Sequence, residues 1–313
     1  MSIVRIAILL VSLSLCGLVW GQARVTTNIE ILHGIVYRTV DGNDLMLDLY
    51  RPDDAAPVPV VLAIHGGSWL MGSRADLRPF YEQLAATGYA VAAIDYRLAP
   101  RHIFPAQLED ARAATEWVRA QAGRYRFDTQ RFFVLGASAG GQLAGLLGTQ
   151  PETSGIFAGV ITLAAPMDFT VKAPTMRARV VMQMYLGAEQ DVRPDLYAVA
   201  SPITHITPDD PPFLIMHGEA DPYVPPSQST SMAEALRRQG VPVELLLLPR
   251  LGHEVPALNS PVGIVLMNIL RNFLTDPRAV AGVNAAPVAQ VCAFESPTAD
   301  DTSLARQIFT IKA

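Results

Sequence analysis

Two periodicities take turns along this chain. From about residue 30, short apolar runs give way to longer stretches in which apolar residues recur every three or four positions. Ile35 to Thr39 and Leu45 to Tyr50 flank Asp41-Gly42-Asn43, a hairpin turn signature, and predict an antiparallel pair at the start. Pro59 to Ile64, Tyr89 to Ile94, Phe132 to Leu135, Val160 to Ala164, Phe213 to Met216 and Glu244 to Leu248 read as further strands. Unbroken runs such as Pro59 to Ile64 belong to strands buried on both faces. Helical spacing runs from Leu77 to Thr87, closed by Gly88, and through Leu108, Ala111, Thr115 and Val118 to a stop at Gly123. Two more helices lie near Met232 to Gln239 and from about Val262 to Leu274. The alternation implies an α/β fold: a mostly parallel, eight-stranded sheet with helices on both faces and an antiparallel edge.

One region breaks the alternation. Nearly fifty residues separate Ala164 from Phe213, far more than a crossover needs. The stretch from about 170 to 209 reads as a small, partly helical lid. Met176, Met182, Met184, Tyr185 and Tyr197 would give it an adaptable apolar wall. The alternative is a long crossover packed on the core.

The ends differ from the middle. Arg5 precedes an almost wholly apolar run from Ile6 to Trp20, followed by Gly21-Gln22-Ala23. That run is short for a membrane span, and the small-x-small triplet suits signal cleavage. We therefore expect a signal peptide over 1–23, a globular domain over 24–275, and a secreted or periplasmic product. The tail, 276–313, is rich in Ala, Pro, Asp, Ser and Thr: a loose end, or an arm that packs through Ile308 to Ile311. Of the two cysteines, Cys16 would leave with the signal. Cys292 would then have no intramolecular partner, so the fold must stand on its core.

Half of the 313 residues are hydrophobic and 17% are charged, enough for a sizeable core. The formal charge is -5, with no basic run, which argues against nucleic acid as a partner. The sequence does not indicate an oligomeric state.

The candidate chemistry centres on Gly136-Ala137-Ser138-Ala139-Gly140-Gly141. A strand precedes it and a helix follows, the setting a nucleophile elbow requires. Glycines at 136 and 140 avoid collisions across the tight turn, and the helix N-terminus offers N–H groups to an oxyanion. On its own the motif is also compatible with a harmless glycine-rich turn. A serine hydroxyl needs a base. Among six histidines, His253 lies in a loop just past the last strand. His217 ends a strand and reads as a packed structural residue, His205 as lid surface, and His33 and His102 carry no signal. The carboxylate that orients the base should follow the strand before, where Asp221 sits ahead of Pro222. Glu219 and Asp168 are its competitors, but Ser138, Asp221 and His253 come in the order serine, acid, histidine. The His65-Gly66-Gly67-Ser68-Trp69 loop follows the third strand. We assign the N–H groups of Gly66, Gly67 and Ala139 to an oxyanion hole. His65 and Trp69 are candidate substrate contacts, Trp69 as the floor of an acyl pocket or as plain core.

These residues amount to a resemblance. His-Gly-Gly-x-Trp at 65–69, Asp-Tyr-Arg-Leu-Ala-Pro at 95–100, Phe-Pro-Ala at 104–106, Gly-x-Ser-Ala-Gly-Gly at 136–141, Ser-Pro-Ile-Thr-His at 201–205, Asp-Pro-Tyr-Val-Pro at 221–225 and Gly-His-Glu at 252–254 stand in order. Together they resemble the α/β-hydrolase fold, within it the esterases similar to hormone-sensitive lipase, and most closely the BD-FAE-like (feruloyl and acetyl esterase-like) branch. Ser68 stands where the hormone-sensitive lipase branch has a third glycine. The resemblance covers about residues 30 to 275. It implies a Ser138–His253–Asp221 triad, no cofactor or metal, and hydrolysis of small esters, often acetyl or other short acyl groups on sugars or aromatics. Kynurenine formamidases carry a similar His-Gly-Gly-x-Trp, so an amidase is one alternative. A catalytically silent binding protein on the same scaffold is another.

Overall fold

The computed structural model describes residues 28–54 and 56–279. The expected signal segment, Cys16, Cys292 and the tail beyond residue 279 lie outside them.

The hairpin opens the chain as β1 (Ile29–Val40) and β2 (Asn43–Pro52). Then come β3 (Val58–Ile64), α1 (Arg78–Ala86), β4 (Ala90–Ile94), α2 (Ala106–Ala120) and the single turn α3 (Ala122–Tyr125). After these follow β5 (Phe127–Ala137), α4 (Ala139–Thr149) and β6 (Gly159–Leu163). Beyond the insertion lie β7 (Phe213–Gly218), α7 (Ser227–Arg238), β8 (Val243–Leu248) and α8 (Pro261–Thr275). The strands form one eight-stranded sheet in the order β1-β2-β4-β3-β5-β6-β7-β8. β1, β2 and β4 pair antiparallel; every other neighbouring pair is parallel. This is the predicted α/β architecture, with the hairpin at the edge.

Alternation within the strands sends side chains to two cores. Val60, Leu62 and Ile64 of β3 point to the layer that also holds Leu108, Val118, Leu143 and Leu236. Val61 and Ala63 point to the opposite layer, with Tyr81, Leu84, Leu266 and Leu270. Burial on both faces is why β3 carries no polar residue. One expectation fails in detail. Gly123 does not end α2; that helix stops at Ala120, and Gly123 lies inside α3, which Arg126 caps with φ 55°. The chain re-enters the left-handed region at an arginine, so the composition cue pointed three residues early.

The insertion is partly helical, as expected: α5 (Met176–Leu186), α6 (Pro194–Val199) and a 3-10 turn at Pro202–His205. Its wall differs from expectation. Tyr185 and Tyr197 are buried in the main core, whereas Met176 and Met184 face solvent. Aromatic rings win the interior because each removes more apolar area from water than a thioether chain does. Among the described residues no helix is long and apolar enough to cross a membrane.

Candidate active site

Four parallel strands bring their carboxyl ends to one place. β3 leads to His65, β5 to Ser138, β7 to Asp221 and β8 to the loop holding His253. Open parallel sheets put their sites at these ends. The β3–β5 register pairs Ile64 with Gly136, which sets the glycine loop beside the serine turn.

Ser138 caps α4 with φ 51° and ψ −118°, a strained conformation for a residue with a Cβ. The flanking glycines make it possible. A Cβ on Gly136 would lie 2.1 Å from the Gly140 carbonyl oxygen across the turn, and one on Gly140 would lie 2.2 Å from that of Ile64. The Gly140 requirement is therefore set against β3 rather than across the turn.

His253 Nε2 stands 2.9 Å from Ser138 Oγ, and His253 Nδ1 stands 2.6 Å from Asp221 Oδ2. The Asp221 side chain is fully buried and that of His253 nearly so. Both loops are tied together: Glu219 N–H donates to the Leu248 carbonyl and Ala220 N–H to that of Leu251, each at 2.9 Å. Asp221 Oδ1 accepts the N–H groups of Tyr223 and Val224. Burial by itself would raise the Asp221 carboxyl. The hydrogen bonds from His217 and His253, the nearby His253 charge and the Val224 N–H outweigh burial and hold the carboxyl well below the usual range. An ionised carboxylate only accepts, so His253 carries its proton on Nδ1 and leaves Nε2 to accept from the serine.

His217 sits where expected, buried and packed, but it does more than pack. Its Nε2 lies 2.9 Å from the Val224 carbonyl and 3.2 Å from Asp221 Oδ2, while Ser229 Oγ lies 2.6 Å from its Nδ1. Both groups facing Nε2 are acceptors, so that nitrogen holds the proton and points it at the acid loop. Glu219 is exposed. Asp168 caps its own turn through Thr170. His205 bonds the Val199 carbonyl within the insertion, and His33 bonds Asp48 on the edge hairpin. His102 bonds through its backbone, its N–H to the Leu98 carbonyl and its carbonyl to Gln107.

Gly67, Ser68 and Trp69 all have positive φ. A Cβ on Gly67 would fall 2.1 Å from the Met71 carbonyl oxygen, so no side chain fits there. A Cβ on Gly66 would lie 3.3 Å from that of Ser138, which places Gly66 against the serine. Within the described residues no hydrogen bond uses the N–H of Gly66, Gly67 or Ala139.

Both expected substrate contacts are corrected. His65 is 1% exposed; its ring stacks on Tyr96 at 4.2 Å and its Nδ1 bonds the Gly66 carbonyl, beneath the loop. Burial lowers its pKa, so it stays neutral under the loop it supports. Trp69 is also buried. It stacks on Tyr185 at 4.1 Å, and its Nε1 donates to Gln142 Oε1 at 3.0 Å. Its left-handed backbone turns the ring down into the core instead of outward.

Gln142 is the residue that sequence reasoning missed. It is fully buried in the first turn of α4, where it reads as an ordinary helix former. Its amide accepts from Trp69 and from Tyr185 Oη and donates to the Ala200 carbonyl. It thus joins the glycine loop, the serine helix and both helical parts of the insertion.

The BD-FAE family model matches residues 47–236, more than half of the chain. Esterase LipC of Mycobacterium tuberculosis is 34% identical over 71% of this chain and 60% of its own length. The chain thus spans about three fifths of that relative. Ethyl acetate hydrolase of Pseudomonas putida is 31% identical over 71% of this chain and 74% of its own. Esterase 2 of the planctomycete Thermogutta terrifontis superposes with a TM-score of 0.67 at 27% identity, over 83% of this chain and 96% of its own. It has also been solved with propionate bound. The serine at the elbow, the sheet that carries it and these likenesses agree: the chain belongs to the BD-FAE family, among the α/β-hydrolase esterases related to hormone-sensitive lipase.

Proposed function

We propose that the protein is a secreted serine carboxylesterase that hydrolyses short-chain acyl or acetyl/feruloyl-type esters through an acyl-enzyme. The observation that carries this reading is the unbroken chain of hydrogen bonds from Ser138 Oγ through His253 to Asp221. Ser138 Oγ attacks the ester carbonyl as His253 Nε2 takes its proton, and Asp221 steadies the imidazolium. The N–H groups of Gly66, Gly67 and Ala139 receive the oxyanion. Collapse breaks the bond to the alcohol, which leaves with the proton from Nε2. Water then attacks the acyl-serine, gives its proton to Nε2, and releases the acid as Ser138 recovers a proton. The names of the ethyl acetate hydrolase and of the propionate-bound esterase support short acyl chains. The apolar segment Ile6 to Trp20 and Gly21-Gln22-Ala23 support export by a cleaved signal.

Ser138→Ala tests the assignment. On a p-nitrophenyl acetate assay it is expected to lose at least about a thousandfold in kcat while its thermal melt is retained. Wild-type turnover in that variant would end the reading.

A further inference from the structure

Tyr223 lies in the acid loop, two residues past Asp221, and is 46% exposed. Among the described residues it is the only exposed Phe, Tyr or Trp. Its ring meets the His253 imidazole nearly at right angles, 79°, with 5.5 Å between centroids. Arg177, in the first turn of α5, sets its guanidinium carbon 5.3 Å from the centre of the same ring. A part-exposed aromatic ring therefore borders the proton-transferring residue, with a cation from the insertion over it.

The chemistry says which part of an ester comes here. The departing alkoxide takes its proton from His253 Nε2, so the alcohol must lie within reach of that imidazole. A ring at its flank is placed to meet the alcohol. We propose that Tyr223 and Arg177 form the leaving-alcohol subsite and select esters whose alcohol is itself a ring. Tyr223 gives its part-exposed ring for stacking, and Arg177 gives donors for oxygens on a ring that carries them. Aryl alcohols and sugars both offer a ring face, and sugars add the oxygens.

The proposal rests on the esterase reading, which hydrolysis of ethyl acetate by the unaltered protein tests separately. Phenyl acetate, an acetylated methyl xyloside and ethyl acetate all yield the same acetyl-serine, so they differ only in the alcohol. We expect Tyr223→Ala to lower the ratio of kcat/KM for a ring ester to that for ethyl acetate about tenfold, and Tyr223→Phe to hold it within about twofold. Arg177→Met should lower the xyloside ratio about threefold. A fall for phenyl acetate alone assigns an aryl subsite, a fall for the xyloside alone a carbohydrate subsite, and a fall for both a platform for either. Unchanged ratios for both ring esters overturn the proposal, even if all rates drop together, because Tyr223 would then only steady His253. Should the alanine variant fail to fold, the same ratios in Tyr223→Leu, which keeps bulk without a π face, decide.

Discussion

Asp221 and Glu244 are carboxylates on neighbouring strands, one just past the end of β7 and one near the start of β8. Both are withdrawn from water. Their surroundings pull in opposite directions. Asp221 gathers donors: the rings of His217 and His253 and the N–H groups of Tyr223 and Val224. Glu244 alternates with Leu246 and Leu248 on the face toward α8, and neither of its oxygens accepts a hydrogen bond from a described residue. Burial pushes its carboxyl up to about 7. The contrast shows that burial sets only the penalty for charge. The count of donors decides whether the charge survives.

Breaking the better-served carboxylate should cost most. Asp221→Asn leaves the shape but removes the acceptor that selects the His253 tautomer. We expect kcat to fall about ten-thousandfold on p-nitrophenyl acetate, by analogy with the same change in a serine protease. A loss smaller than tenfold would mean that Asp221 does not orient the base.

Removing one donor should do less. In His217→Ala, kcat is expected to fall about tenfold with KM nearly constant, since the acid loses a support and not its contact with His253. A second readout separates positioning from packing. The Asp221 carboxyl titrates lower in the fold than in the unfolded chain, where it lies near 3.9. Its stabilisation is therefore complete above about pH 4 and fades as pH falls through the folded value. Without His217 the folded value should rise toward the unfolded one, so the loss on acidification should be smaller and end at higher pH, as urea midpoints between pH 2 and pH 5 would record. Parallel curves for the two proteins would assign His217 to packing alone.

The smallest effect belongs to Glu244. Its folded value, about 7, lies above the unfolded one, near 4.3. The fold thus binds the proton more tightly, and stability drops as pH rises from about 4 to about 7. Glu244→Gln removes that loss. Its melting temperature should gain on the wild type between pH 5 and pH 8, by a few degrees. A gap that stays constant with pH would show that Glu244 keeps no raised carboxyl.

Much of this protein could be read from local pattern alone. Six of the eight strands were legible because short apolar runs have few other homes, and the first two because Asp41-Gly42-Asn43 marks a hairpin. Gly136 and Gly140 announced the elbow, since steric exclusion by backbone acts over a few residues or against one adjacent strand. The order of Ser138, Asp221 and His253 could be anticipated because each follows a recognisable strand. Gly123 was misread because Arg126 could take the left-handed turn instead.

What remained hidden depends on contacts between distant segments. Gln142 meets Trp69 across 73 positions and Ala200 across 58, and nothing in its own neighbourhood marks it as buried. His65 and Trp69 lie in the glycine loop as foreseen, yet two rings, Tyr96 and Tyr185, hold them below it. Local sequence determines which backbone shapes are allowed, because sterics and hydrogen bonding act at short range. Only the assembled sheet decides which side chain is covered and which, like Tyr223, stays partly exposed, because that depends on neighbours brought together by folding.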